Sequence, residues 1–241
     1  MRIGIIGPME EEVSLLQAAF TIKEEQVIGG RTYLVGSYHD HEVVLVKSGI
    51  GKVCAATAAC VLVNTFKVDA VVNSGCAGSI SDQLKIGDIV LSTKLAYQDF
   101  DLTIFGYQRG QVPSYEQYFE ADHALVAKAE AVAAKLKSEG KFKTPGTSAL
   151  QIVTGTVLTG DQFISQKAQS LAMKEFFPEA QMVEMEGAAV AQVCTDFKVP
   201  CLVIRSASDT ASGESPEDFN EFVQLAADNS ATLLLALIDA L

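Results

Sequence analysis

The chain has 241 residues, a formal net charge of -12 and a hydrophobic fraction of 49%. The 30 acidic residues outnumber the 18 basic ones, which argues against a nucleic-acid partner because binding to a phosphate backbone needs a basic face. No uninterrupted apolar stretch reaches the roughly 18–20 residues that a membrane helix requires, so we expect a soluble, cytoplasmic protein with no membrane partner.

The hydrophobic pattern predicts strands that alternate with helices along the whole chain. In chain order, the predicted elements cover residues 3–6 (strand), 10–20 (helix), 43–46 (strand), 53–66 (helix), 70–72 (strand), 86–91 (strand), 122–137 (helix, N-capped by Asp122), 151–158 (strand), 165–176 (helix), 182–183 (strand), 187–197 (helix), 201–204 (strand) and about 216–241 (helix). Strands that are apolar throughout predict an α/β fold, with a central twisted sheet, mainly parallel or mixed, flanked by helices. No linker, repeat or low-complexity tract interrupts the chain, so we expect one domain over residues 1–241.

One connection is unusually long. Residues 99–117 have no clear period and contain several aromatic side chains together with Pro113. Because long structureless connections are commonly functional or interfacial, we expect this segment to take part in a site or an interface.

The cysteines and histidines predict neither a disulfide framework nor a metal site. Five cysteines without a CxxC pair favour reduced thiols. Four of them lie in apolar or Ala-rich runs and are expected to act as small buried hydrophobic side chains, with Cys76 as the exception. The three histidines lie in polar or loop-like surroundings, and none is expected to bind a metal. The four cysteines in apolar or Ala-rich runs are Cys54, Cys60, Cys194 and Cys201, and the three histidines are His39, His41 and His123.

Polar or Gly-rich clusters follow four of the predicted strands. They cover residues 7–12, 48–51, 73–78 and 205–209. In open α/β sheets, ligands bind beyond the carboxyl ends of the strands. The four clusters are therefore candidates for one binding site.

Each cluster also has a structural interpretation. Acidic residues in a first helical turn interact favourably with the helix dipole, which accounts for Glu10 and Glu11 and leaves Glu12 open. The glycines of residues 48–52 suit a tight turn, since their spacing is not that of a nucleotide-triphosphate loop. The small residues of 73–78 permit the close approach of a ligand or of a helix.

Two further pairs of charged residues remain open between structure and function. Glu184 and Glu186 lie on the same side of an extended segment, and carboxylates at a core edge are costly unless they are hydrogen-bonded or used. For Glu186, N-capping of the next helix is the structural alternative. Arg205 and Asp209 end the last apolar strand, where they form either an ion pair or part of a site.

Six segments, taken in order, resemble those of bacterial 5′-methylthioadenosine/S-adenosylhomocysteine nucleosidases. They are IGIIGPMEEE (3–12), KSGIGKV (47–53), FGY (105–107), TGDQFI (159–164), VEMEGAA (183–189) and RSASD (205–209). Each segment alone is a weak signal. The ordered set spans nearly the entire chain and is highly specific.

The resemblance implies a purine nucleoside phosphorylase-like α/β fold, a homodimer, a small-molecule nucleoside substrate, and no metal or cofactor. It also implies that Glu12 activates the attacking water, while Asp209, positioned by Ser208, protonates N7 of adenine. For the sugar, the resemblance implies contacts of Met185 and Glu186 with the ribose, of Arg205 near the water and Glu12, and of Met9, Ile50 and Phe219 around the ribose or 5′-alkylthio group. For the base, it implies that Phe163 stacks on adenine, that the backbone of Ile164 lies at the adenine edge and that Gly78 lines the base pocket. It also implies that Phe105, Tyr107 and Pro113 reach across from the neighbouring subunit.

The chain departs from the family pattern at Cys76, where the family usually has serine. A thiol is a much weaker hydrogen-bond donor than a hydroxyl. We therefore expect Cys76 to keep the shape of its segment and to add little polar stabilisation.

The chemistry of N-ribosyl cleavage suits the two carboxyl groups. Positive charge develops on the sugar and negative charge on the departing base, so an acid at the base and a carboxylate facing the sugar both lower the barrier. We predict that Asp209 is protonated and Glu12 ionised in the bound complex. The carboxylates at residues 10–12 repel phosphate, which favours hydrolysis over phosphorolysis.

Two alternatives stay open. One is a nucleosidase for another adenosine-like nucleoside, such as an aminofutalosine. The other is a non-catalytic nucleoside-binding protein of the same fold, against which the acid/base pair argues because ligand binding alone needs no such pair.

Overall fold

The computed structural model describes residues 1–146, 149–211 and 215–241. Its strands are β1 (Arg2–Gly7), β2 (Thr21–Ile28), β3 (Arg31–Tyr38), β4 (His41–Lys47), β5 (Ala70–Ser79), β6 (Ile89–Tyr97), β7 (Phe119–Glu120), β8 (Ile152–Thr159), β9 (Ala180–Glu184) and β10 (Cys201–Asp209). Its α-helices are α1 (Glu10–Ala19), α2 (Lys52–Asn64), α3 (His123–Ser138), α4 (Lys167–Phe176), α5 (Gly187–Phe197) and α6 (Ser215–Asp239), and a short 3₁₀ helix covers Thr103–Phe105.

One mixed sheet runs through the fold. β1 lies between β4 and β5, parallel to both, and β10 also pairs with β5 in parallel. β6, β8 and β9 form a second parallel run. Antiparallel pairs of β6 with β10 and of β9 with β5 close five strands into a ring. The carboxyl ends of β1, β4, β5 and β10 therefore lie at the same end of the sheet.

Helices cover both faces of the sheet, which explains the uninterrupted apolar strands. In β4, Val44 and Val46 pack with buried residues of α2 and α5. The alternate residues Val43 and Leu45 pack with buried residues of α1, α3 and α6. Because neither face is exposed to solvent, these strands show no alternation of polar and apolar residues. The predicted α/β class is confirmed.

The last helix is a core helix of this arrangement. By length and composition, residues 217–239 of α6 would suffice to cross a membrane, but half of the 18-residue apolar stretch on which this rests is buried inside the protein. Leu233, Leu234, Leu237 and Ile238 belong to the apolar layer that α6 shares with α1 and α3. The apolar character of α6 is thus explained by packing against the sheet.

The hairpin formed by β2 and β3 is missing from the sequence prediction. The two strands pair in antiparallel fashion around Gly29 and Gly30, which both have positive φ. β2 is mostly exposed, so it lacks the apolar run by which the other strands were recognised. The Gly-Gly turn between two β-prone runs was the available signal.

Several predicted boundaries also differ from the structure. The strand predicted at residues 86–91 begins only at Ile89, because Asp88 accepts hydrogen bonds from the backbone N–H groups of Lys85 and Gln151 and so forms a turn. Residues 73–78 belong to β5 instead of following it, and β10 likewise continues through Asp209. The expectation of a buried thiol is wrong for Cys60, which is exposed, and Cys54 is only partly buried.

Candidate active site

A cavity with an empty volume of about 460 Å³ lies where the carboxyl ends of the central strands meet. All four clusters predicted from the sequence contribute to it, together with the end of β9, the connection after β8, and α6. The lining residues are Pro8, Met9, Glu12, Ile50, Cys76, Ala77, Gly78, Phe163, Val183, Glu184, Met185, Glu186, Ser208, Asp209 and Phe219.

Glu12 is buried at the start of α1 and is held from two sides. Its Oε2 accepts a hydrogen bond from the backbone N–H of Met9 at 2.8 Å. Its Oε1 accepts one from the backbone N–H of Cys76 at 2.9 Å. Burial raises the pKa of Glu12 above 4.5, against the opposing effects of Arg205 and of these hydrogen bonds. The interaction with the helix dipole alone therefore does not account for Glu12, because its buried carboxyl group is also held by hydrogen bonds at the cavity.

The thiol of Cys76 also contacts Glu12. Its Sγ lies 3.2 Å from Oε1 of Glu12, in position to donate a hydrogen bond. Burial, followed by the charge of Glu12, raises the pKa of Cys76 well above the ordinary thiol value, so the thiol stays protonated near neutral pH. The contact to the carboxylate is thus present, and the expectation that Cys76 adds little polar stabilisation stays a prediction.

Asp209 reaches the cavity from the end of β10. Its Oδ2 lies 3.0 Å from the hydroxyl of Ser208, which donates to it, and its Oδ1 accepts from the backbone N–H of Ala211 at 2.8 Å. The carboxyl group is buried. These contacts fix its direction into the same cavity that Glu12 lines.

Two glycines of β5 make room for the two carboxyl groups. A Cβ atom at Gly75 would lie only 2.4 Å from Oε1 of Glu12. A Cβ atom at Gly78 would lie 2.9 Å from Oδ1 of Asp209. Such separations are shorter than real Cβ contacts, so any side chain at either position would displace the neighbouring carboxyl group. The small residues of this segment thus serve the site by admitting side chains from other elements.

Arg205 is fully buried behind the cavity instead of lining it. Its Nη2 donates to Oδ1 of Asn73 at 2.6 Å and to Oε2 of Glu184 at 2.5 Å. The same nitrogen lies 3.6 Å from Oε2 of Glu186. Arg205 therefore forms its ion pairs with Glu184 and Glu186, and not with Asp209 as one interpretation of the sequence suggested. Burial lowers the pKa of Arg205, but Glu184, Glu186 and Glu12 outweigh this effect and raise it overall.

The carboxyl groups of Glu184 and Glu186 have different hydrogen-bond partners. Glu184 accepts from the hydroxyl of Thr159 and from the backbone N–H groups of Glu186 and Gly187, so it is Glu184 that caps α5. Glu186 instead accepts from the backbone N–H of Gly51 at 2.9 Å and faces the cavity. Burial, followed by the charge of Glu184, raises the pKa of Glu186 to about 8. The carboxyl group of Glu186 therefore binds a proton more readily than an exposed carboxyl group does.

The structure brings all but two of the predicted residues of this chain to the cavity. The exceptions are Arg205 and Ile164, whose side chain packs in a separate apolar cluster with Leu158 and Phe177. The prediction for Ile164 concerned its backbone and stays a prediction. The ring centroids of Phe163 and Phe219 lie 5.7 Å apart in an edge-to-face contact.

Three residues of this site received no individual role in the sequence analysis, although each belongs to a segment that it singled out. They are Asn73, Glu184 as the cap of α5, and Pro8 in the cavity wall. Asn73 follows the apolar residues 70–72 of β5, and its buried amide requires partners, which are Arg205 and the carbonyl oxygen of Ile6. Within the described ranges, no group of three His, Cys, Asp or Glu side chains is placed to hold a metal ion.

The comparisons with known proteins define the class. The family described as the Phosphorylase superfamily matches residues 2–239, and the chain therefore belongs to that superfamily. A 5′-methylthioadenosine/S-adenosylhomocysteine nucleosidase of Listeria welshimeri serovar 6b is 43% identical over 238 residues, which cover 99% of both chains. Within the superfamily, this full-length similarity places the chain among the 5′-methylthioadenosine/S-adenosylhomocysteine nucleosidases.

Solved structures of two kinds of hydrolase match the chain over nearly its whole length. The nucleosidase of the same name from Colwellia psychrerythraea 34H, in complex with adenine, matches with a TM-score of 0.92 at 41% identity, covering 99% of this chain and 95% of that one. The futalosine hydrolase of Helicobacter pylori strain 26695 matches with a TM-score of 0.92 at 34% identity, covering 100% of this chain and 98% of that one.

We predict that Gly75→Ala displaces Glu12, the predicted base, and lowers kcat about 100-fold with little change in KM, because misplacing a reacting group by about 1 Å has an effect of that order. The measurement is the steady-state release of adenine from 5′-methylthioadenosine. Gly155→Ala on β8 is the matched control, since its Cβ would crowd only the Gln181 side chain, away from the cavity. A Gly75→Ala variant with wild-type kcat would show that Glu12 does not need this space.

Proposed function

We propose that the protein hydrolyses the N-glycosidic bond of 5′-methylthioadenosine and S-adenosylhomocysteine, giving adenine and the 5′-thioribose. One observation carries the proposal: Glu12 and Asp209, from the first helix and the last strand, line one cavity. The full-length similarity to nucleosidases of that name supports the substrate class.

Asp209 is the proposed acid. As the N-ribosyl bond breaks, negative charge develops on adenine, and a proton transferred from Asp209 to N7 neutralises it. The Ser208 hydroxyl and the Ala211 N–H hold the carboxyl group in one orientation, which limits its motion during the transfer. A positioned acid contributes a factor on the order of 10²–10⁴ to the rate.

Glu12 is the proposed base. An ionised carboxylate can accept a proton from a water molecule and can stabilise positive charge on the ribosyl group. Burial raises its pKa, which strengthens it as a base, while Arg205 and the two hydrogen bonds from Cys76 favour its ionised form. We propose that Arg205 acts on Glu12 through its charge, since it does not line the cavity.

The remaining cavity residues suit a purine nucleoside with an apolar 5′ group. We propose that Phe163 stacks on adenine, that the protonated Glu186 donates to a ribose hydroxyl, and that Met185 lies under the sugar. The other proposed contacts are Gly78 and the backbone of Ile164 with adenine, and Met9, Ile50 and Phe219 with the ribose or the 5′-alkylthio group.

The charge of the cavity favours water over phosphate as the nucleophile. Four carboxyl groups line it, those of Glu12, Glu184, Glu186 and Asp209. None of its described lining residues is Lys, Arg or His, and the nearby guanidinium of Arg205 is bonded to Asn73 and Glu184. An ionised Glu12 would repel a phosphate ion, which would find no charged donor among the described lining residues, whereas neutral water is not repelled.

A nucleosidase acting on an aminofutalosine is the second candidate. It is favoured by the similarity to a futalosine hydrolase, whose fold matches this one as well as that of the adenine complex does. Both reactions would use the same acid and base at the same bond. The two substrates differ in the 5′ substituent. This substituent would contact Met9, Ile50 and Phe219 at one end of the cavity.

We also propose a homodimer in which Phe105, Tyr107 and Pro113 reach the neighbouring cavity. Phe105 is 74% exposed and Ile104 next to it 87%, an apolar surface that a second copy would cover.

We further propose a cytoplasmic location and a role in methionine salvage. The five unpaired cysteines suit a reducing compartment.

Incubation of the protein with 5′-methylthioadenosine, S-adenosylhomocysteine and an aminofutalosine, each with and without phosphate, tests this function. We expect adenine release from the first two at rates independent of phosphate, measured by liquid chromatography. Exclusive turnover of the aminofutalosine would establish the second candidate. Phosphate-dependent formation of a ribose 1-phosphate, or no adenine from any substrate, would refute hydrolysis.

Substitution of the two carboxyl groups tests their roles. We expect Glu12→Gln and Asp209→Asn each to lower kcat by about 10²–10⁴, since each removes one proton transfer. Glu10→Gln is the matched control, because Glu10 lies on the same helical turn but pairs with Lys47 at the surface. Near-normal kcat in either of the first two variants would remove that residue from the mechanism.

A further inference from the structure

A cluster of three charged side chains joins separate segments beside the cavity without lining it. We call Lys52, Asp99 and Asp161 the Lys52 cluster. The Nζ of Lys52 donates to Oδ1 and Oδ2 of Asp99 at 2.8 and 2.7 Å and lies 3.5 Å from Oδ2 of Asp161. The side chains of Lys52 and Asp99 are only 25% and 21% exposed, so solvent screens this pair less than a surface ion pair.

Backbone hydrogen bonds connect the same three residues a second time. The N–H of Lys52, at the start of α2, donates to Oδ1 of Asp161 at 2.9 Å. The N–H of Asp161 in turn donates to Oδ2 of Asp99 at 2.9 Å. Side-chain and backbone contacts together form a closed cycle, so no member can move without breaking at least two of them.

The cycle is continuous with two segments that line the cavity. Two residues before Lys52, Ile50 lines the cavity, and the N–H of Gly51 donates to the carboxyl group of Glu186 at 2.9 Å. Two residues after Asp161, the ring of Phe163 also lines the cavity. The cluster therefore ties the segment that holds Glu186 to the segment that carries Phe163.

We propose that Lys52, Asp99 and Asp161 are positioning residues that hold the Glu186 wall and the Phe163 wall at the separation needed to bind a nucleoside. This inference rests on the proposed function in taking a nucleoside as the ligand. Loss of the cluster weakens binding of the base and sugar. It has little effect on proton transfer once substrate is bound, because Glu12 and Asp209 are held by other contacts.

The test compares Lys52→Met with Lys52→Arg in steady-state kinetics on 5′-methylthioadenosine. We expect Lys52→Met to raise KM about tenfold with kcat within about threefold of wild type, the pattern of lost binding. Lys52→Arg keeps the charge and should restore KM to within about threefold. Lys174→Met, which breaks the Lys174–Asp82 pair away from the cavity, should leave both constants unchanged.

Calorimetric titration with adenine provides a second readout that does not depend on turnover. Adenine should bind about tenfold more weakly to Lys52→Met than to wild type, because the Phe163 wall is displaced. If the wild type binds adenine but turns over none of the nucleosides, the proposed function fails while the cluster is still tested by this affinity. Should Lys52→Met not fold, Asp161→Asn takes its place, since it retains an oxygen for the Lys52 N–H.

Three results would overturn the proposal. They are an unchanged KM and adenine affinity in Lys52→Met, a loss confined to kcat, or an equal rise in KM in the Lys174→Met control.

Discussion

The site depends on one buried cation. Arg205 is inaccessible to solvent and lies among Glu12, Glu184 and Glu186, three carboxyl groups that are themselves buried. Burying a carboxylate without compensation is very unfavourable, and loss of one partner from a buried ion pair costs about 3–5 kcal/mol. Burial, followed by the charge of Glu184, raises the pKa of Glu186 to about 8, and the charge of Arg205 offsets this rise only in part, while Glu12 keeps direct hydrogen-bond donors.

The residues of the candidate site come from distant parts of the chain and are brought together by β5. This strand supplies Asn73 to orient Arg205, the backbone N–H of Cys76 to hold Glu12, and two glycines that leave space for carboxyl groups. Each contribution uses the backbone or a small side chain. A central strand flanked in parallel by β1 and β10 can bring residues from both chain ends to one point.

Much of this arrangement could be predicted from local pattern. Apolar runs identified the buried strands, Asp122 was recognised as an N-cap, and polar clusters at strand ends indicated where the cavity lies. The features that were missed depend on contacts between distant residues. Glu184 and Glu186 are equivalent by spacing, and only the positions of Arg205 and Thr159 decide which of them caps α5. The Cys76 thiol likewise gains its role from Glu12, 64 residues away.

The pH dependence of kcat/KM is the most direct test of a buried, ionised Glu12 as the base. Activity requires the deprotonated carboxylate, so kcat/KM should fall as pH decreases through the pKa of Glu12. Because burial raises that pKa, the midpoint of this acidic limb should lie above 4.5, and the limb should be absent from the residual activity of Glu12→Gln. A midpoint at or below 4.5, or the same limb in Glu12→Gln, would contradict the account.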